Sequence, residues 1–133
     1  MENTKNHQWL PVWEHIQKMT VVEGAIFSRL LNSSGGSATR KQAFVFANAQ
    51  ISAAAFDPDQ GRYFVVFYAD SDPGNKIRYE VYGQAVASDG TATGKLITIQ
   101  STSSDEVDPD ILYNPATKNY LAVSSQVVNS TSH

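Results

Sequence analysis

Apolar and polar positions along this chain fall into short runs with a strand-like period, separated by turn residues. The pattern is clearest between residues 51 and 86. Asp57, Pro58 and Gly61 form a turn signal: Asp caps the backbone, Pro presets φ, and Gly tolerates a positive φ. The run Tyr-Phe-Val-Val-Phe-Tyr at 63–68 follows without a polar break, the signature of a strand buried on both faces. After a loop at 70–75, alternation resumes at 77–86, with Ile77, Tyr79 and Val81 on one side and Arg78, Glu80 and Tyr82 on the other. Asp89-Gly90 then supplies a hairpin turn.

Parts of this pattern recur. Aromatic-apolar runs start at Trp9, Tyr63 and Tyr120, that is 54 and 57 residues apart. Ile26 to Leu31 matches Val81 to Val86, and turns follow both at the same offset, at 32–35 and 87–90. Short apolar strands come next at 43–46 and 96–99. Residues 54–58 match 111–115, and both enter a Tyr-led strand five residues after the Pro. Pro11 interrupts the first run, which suits an edge strand. Over 13–23, Trp13, Ile16 and Thr20 also fall on helical spacing, so residues 1–20 read either as an N-terminal edge strand or as a short helix.

A period near 55 holding four strands predicts an all-β fold of propeller-like repeats, with repeat 1 at about 24–68 and repeat 2 at about 78–125. Asp57-Pro58, residues 63–67, Val81-Tyr82-Gly83-Gln84 and Asp89-Gly90 carry a resemblance to β-propeller-like repeats of large bacterial and archaeal surface or secreted proteins. The later copy keeps Asn114-Pro115 and Tyr120-Leu121, whereas the first has Phe27-Ser28-Arg29 in place of Tyr-Gly-Gln. The resemblance bears on architecture and carries almost no chemistry. Nine strand segments amount to about two four-stranded blades in one domain over 1–133, and a propeller closes with four to eight. Closure through a homo-oligomer, dimer or trimer, is the expectation. The alternatives are a monomeric β-sandwich and a piece of a longer propeller.

Composition narrows the partners. The net charge is −3, and Arg40-Lys41 is the only adjacent basic pair, so a nucleic-acid partner is not expected. The absence of cysteine excludes disulfides, thiolate metal sites and cysteine nucleophiles. No apolar run has the length of a membrane-spanning helix. The first residues lack the pattern of an export leader, which makes the cytoplasm the default although the resembling repeats belong to secreted proteins.

Candidate chemistry is sparse. Trp13, Arg78, Tyr79, Tyr82 and Gln84 combine aromatic faces with amide and guanidinium donors, a set suited to a glycan or another small polar ligand. The competing reading makes Tyr82 and Gln84 structural, because Phe27 and Arg29 hold the same repeat positions. The run at 105–110, with Asp105, Glu106, Asp108 and Asp110, is the densest acidic cluster and the first place to look for Ca2+ or Mg2+, with Asp105, Asp108 and Asp110 as the candidate ligands, against the reading of a solvated loop. The loop at 70–75 alternates oxygen ligands but lacks the Gly and Glu of a helical calcium loop. Asp57, Asp59 and Asp89 read as turn residues, no two carboxylates are brought to a glycosidase separation, and His7, His15 and His133 have no ligand spacing. A non-catalytic binding module is therefore expected, with a structural or protein-interaction module as the alternative and a hydrolase as the weakest reading.

Overall fold

The computed structural model describes residues 1–3, 8–16, 23–29, 31, 32, 34, 36, 41–47, 49–71 and 78–128; at 12–16, 23–28, 41–47 and 51–52 it describes backbone only. The chain is all-β: among the described residues there are eleven strands and no helix. They are β1 (Glu2–Asn3), β2 (Gln8–Trp9), β3 (Val12–Ile16), β4 (Glu23–Ser28), β5 (Lys41–Ala47), β6 (Gln50–Asp57), β7 (Arg62–Asp70), β8 (Tyr79–Ala87), β9 (Ala92–Gln100), β10 (Asp105–Asn114) and β11 (Asn119–Val127). All pairings are antiparallel, in sheets of order β1-β2, β3-β4-β5, β6-β7-β8-β9 and β10-β11, and they do not close into a barrel.

The nine expected segments become eleven because Pro11 divides the first run into β2 and β3, and because Glu2–Asn3 adds a strand with no apolar signal. The helical alternative fails over Val12–Ile16, where the backbone is paired with β4; residues 17–22 lie outside the described set. Trp9 still exchanges backbone hydrogen bonds with Leu31, each 2.8 Å, and the Pro11 carbonyl accepts from the Arg29 N–H at 3.3 Å. Pro11 has no N–H to return, so the ladder lapses there.

The four-stranded sheet contains the core. Val65, Val66 and Phe67 are successive and fully buried, as the unbroken apolar run requires. Successive side chains on β7 point to opposite faces, so each face acquires its own cluster. On one face Phe56, Tyr63, Val65 and Val86 enclose Leu10; on the other, Ala55 and Val66 pack beneath Ile111. Turn chemistry follows the residues that announced it. The Asp57 carboxylate accepts from the N–H groups of Asp59 and Gln60, and Gly61 takes φ +63°. Gly90 takes φ +87°, and its N–H donates to the Ala87 carbonyl at 2.9 Å.

Candidate functional site

The hairpin of β10 and β11 stacks on the face of the four-stranded sheet. Ile111, Tyr113, Tyr120 and Ala122 point inward and meet Ala53, Ala55, Phe64 and Val66. The Tyr120 ring lies 5.1 Å from Phe64 and 5.2 Å from Tyr113, centroid to centroid. The Tyr113 hydroxyl donates to an Asp59 carboxylate oxygen at 2.6 Å and ties the hairpin to the preceding turn. That bond raises the Tyr113 pKa, with burial second. The hairpin's own turn repeats the chemistry at Asp57: Asn114 Oδ1 accepts from Ala116 and Thr117, and Lys118 takes φ +57°.

Alternation turns every second residue of the hairpin the other way. Leu112 pairs with Leu121 across the strands, and Val123 follows on the same face of β11. Leu112 is 52% exposed, and Leu121 and Val123 are each 55% exposed. Among the described residues, β11 pairs with β10 alone. The same side of the central sheet is also open further out, where Ile97 and Ile99 on β9 are exposed.

Of the residues expected to hold a polar ligand, Arg78 and Tyr82 meet at Glu80, while Gln84 turns to the β9 backbone and Tyr79 faces the other way. Tyr82 and Gln84 are buried, and Arg78 is exposed beside them. The Tyr82 ring stacks on Phe67, and its hydroxyl donates to Glu80 Oε2 at 3.1 Å. The Gln84 amide donates to the carbonyls of Thr93, Gly94 and Ala85, bridging the irregular register between β8 and β9. Arg78 pairs with Glu80 at 3.2 Å and donates to the Thr102 carbonyl. Tyr79 points to the opposite face, edge-on to Tyr68 at 5.2 Å, and its hydroxyl accepts from Gln50. Trp13 pairs with Phe27 in backbone register, and its side chain lies outside the description.

Along the acidic run the register slip in β10 interrupts the alternation. Asp105 accepts from the Tyr79 N–H at 3.0 Å, while Asp110 is exposed and accepts from the Ile111 N–H. Asp108 is exposed with φ +51° where the β10–β11 register slips between Val107 and Asp110. Among the described residues, no three His, Asp or Glu gather as a metal site. Glu106, in the acidic run but outside the three candidate ligands, is its fully buried member, and it accepts from the Thr102 hydroxyl and N–H. Of the loop at 70–75, residues 72–75 lie outside the described set. Asp70 and Ser71 close its base by bonding to the Arg78 backbone.

Burial pushes the phenols of Tyr63, Tyr82 and Tyr120 up to about 12 from the ordinary 10, and Tyr79 is raised by burial and then by Asp70 and Asp105. A phenol whose folded pKa is raised releases its proton first in the unfolded chain. The stability it adds is complete below about pH 10 and is lost as pH rises toward 12. The melting temperature is therefore expected to hold across neutral pH and to fall above about pH 10, with phenolate absorbance rising together with loss of circular dichroism. Phenolate appearing gradually over pH 9–10, before unfolding, would show that these tyrosines are not held by burial.

Comparison with protein-family models, with curated proteins and with solved structures gives no match to this chain.

Proposed function

We propose that this chain is a non-catalytic structural and interaction module, built of propeller-like four-stranded repeats, that assembles by burying the open face of its β10–β11 hairpin against another such unit. Equivalent pairings support the repeat. Phe56 pairs with Tyr63, Tyr113 with Tyr120, and Glu2 with Trp9. Phe67 pairs with Tyr82 as Trp13 pairs with Phe27, and register slips between Val81 and Tyr82 as it does between Ile26 and Phe27. Gly61 and Lys118, 57 residues apart, share a positive φ in matching turns.

One observation carries the reading. Ala55, Phe64 and Val66 lie under the β10–β11 hairpin; the residues 57 positions later are Leu112, Leu121 and Val123, and among the described residues Leu121 and Val123 are left open while Leu112 is half exposed at a cleft beside Met1, Glu2 and Pro58. Covering a Leu or Val side chain is worth roughly 1.5–3 kcal/mol, so leaving three half exposed forgoes roughly 2–5 kcal/mol. The polar-ligand reading has less behind it, since Tyr82 and Gln84 are committed to internal bonds. A glycan, Ca2+ or Mg2+ would have to be held by Arg78, Tyr79 and the acids of β10 without them.

Light scattering on a sizing column tests assembly. The wild-type chain is expected above its 14.6 kDa formula mass. The triple variant Leu112→Ser, Leu121→Ser, Val123→Ser is expected at monomer mass with an unchanged far-ultraviolet spectrum. A wild type that stays monomeric at tens of micromolar, and whose melting temperature rises with a sugar or divalent cation, would replace the assembly reading with the ligand reading.

A further inference from the structure

The open hairpin face has a counterpart at the other end of the chain. Three aromatic residues hold one position of the repeat: Trp9, Tyr63 and Tyr120. Tyr63 is fully buried in the cluster that encloses Leu10, and Tyr120 sits against Phe64. Trp9 is 49% exposed.

The residue after each aromatic points the other way. Leu10 is fully buried against Phe56, Tyr63 and Val65 of the following sheet. Phe64 is covered by Tyr120 of the following hairpin. Leu121, third in this series, is open. In each junction inside the chain, then, the aromatic of one unit meets the apolar residue that follows the aromatic of the unit before. The described structure completes two such junctions and leaves one half of a third at each end: an unused aromatic at Trp9 and an unused apolar seat at Leu112, Leu121 and Val123.

Resting on the assembly reading above, we propose that the occupant of the open face is a second copy of this chain, joined head to tail, with Trp9 of one copy seated over Leu112, Leu121 and Val123 of the other. A face-to-face pair would bury the aliphatic seat against itself and leave both Trp9 side chains in water. The head-to-tail joint reuses the Phe64–Tyr120 arrangement, which this sequence already packs. Such a contact is heterologous: each copy keeps one free half, so association continues until a ring closes or a filament grows.

Two variants with opposite lesions test this on the full chain. Trp9→Glu blocks the aromatic half and keeps the seat. Leu121→Lys blocks the seat and keeps Trp9, with Val123→Lys as a second version should Leu121→Lys disturb the hairpin. Both sites are exposed, so unchanged far-ultraviolet spectra are expected. Each variant alone is expected at 14.6 kDa by light scattering, and an equimolar mixture at twice that mass, because one free half of each kind remains. Trp9→Glu that assembles like the wild type overturns the head-to-tail joint and leaves the assembly reading standing. So does a mixture that stays at monomer mass while the wild type associates. A monomeric wild type overturns the assembly reading itself.

Discussion

Tyr63→Ala is expected to lower the unfolding free energy by about 3–5 kcal/mol, the cost of deleting a large buried aromatic. The ring has no exposure, lies 5.1 Å from Phe56 and lines the cluster that holds Leu10. Its loss opens a cavity and releases the N-terminal strands from the four-stranded sheet. A domain of this size has about 5–15 kcal/mol in total, so one change removes much of it. The same substitution at the equivalent positions separates structure from assembly. Tyr120→Ala is expected to cost roughly 2 kcal/mol, because its ring is only partly covered, by Phe64 and Tyr113. Trp9→Ala is expected to cost monomer stability roughly 1–2 kcal/mol, because about half of its side chain is already covered, and to have the largest effect of the three on solution mass. Urea titrations in dilute solution, with midpoint and slope fitted separately, measure the first effect. Equal losses at all three positions would contradict the differing burial assigned to them.

What could be read from the residues, and what could not, follows from the physics of each signal. Period-two alternation and the Asp57-Pro58 and Asn114-Pro115 turns mark strands because backbone geometry fixes both. They do not mark which face is covered, since that depends on a neighbour distant in the chain. Leu112 and Ile111 are adjacent and similarly apolar, yet Leu112 is 52% exposed and Ile111 is 7% exposed. Residues 96–99 read correctly as a strand, although Leu96, Ile97 and Ile99 are all exposed at an edge. β1 gave no signal because its pairing rests on backbone bonds, including the Met1 carbonyl accepting from Leu10. In the acidic run, composition placed Glu106 with its exposed neighbours. The structure buries it where Thr102 supplies both a hydroxyl and an N–H, four residues away across a bend. Chemical type alone points to Gln84 as a ligand residue and does not reveal that its amide donates to three backbone carbonyls of its own sheet.

Gly83 is where local preference and tertiary packing oppose each other most directly. Strand interiors disfavour glycine by roughly 0.5–1 kcal/mol relative to alanine, so an ordinary strand would gain from Gly83→Ala. Here a Cβ at Gly83 would collide with Phe64 Cε1 and would lie 2.9 Å from its Cζ and 2.8 Å from Ile99 Cδ1. Ile99 sits at an exposed edge and can swing away, but the Phe64 ring is held between β8 and Tyr120. Gly83→Ala is therefore expected to destabilise by about 1–3 kcal/mol, and Gly83→Val by more, in spite of valine's preference for strands. The displaced ring pushes on Tyr120, so amide exchange should accelerate in β10 and β11 before it does in β6. Combining Gly83→Ala with Phe64→Leu isolates the cause: with the smaller side chain the alanine should cost at least about 1 kcal/mol less. Additive effects in that cycle, or a stabilised Gly83→Ala, would mean that the close approach of Phe64 does not determine the residue at 83. If the coupling is found, glycine is required at 83 because the ring that seats the β10–β11 hairpin occupies the space above it.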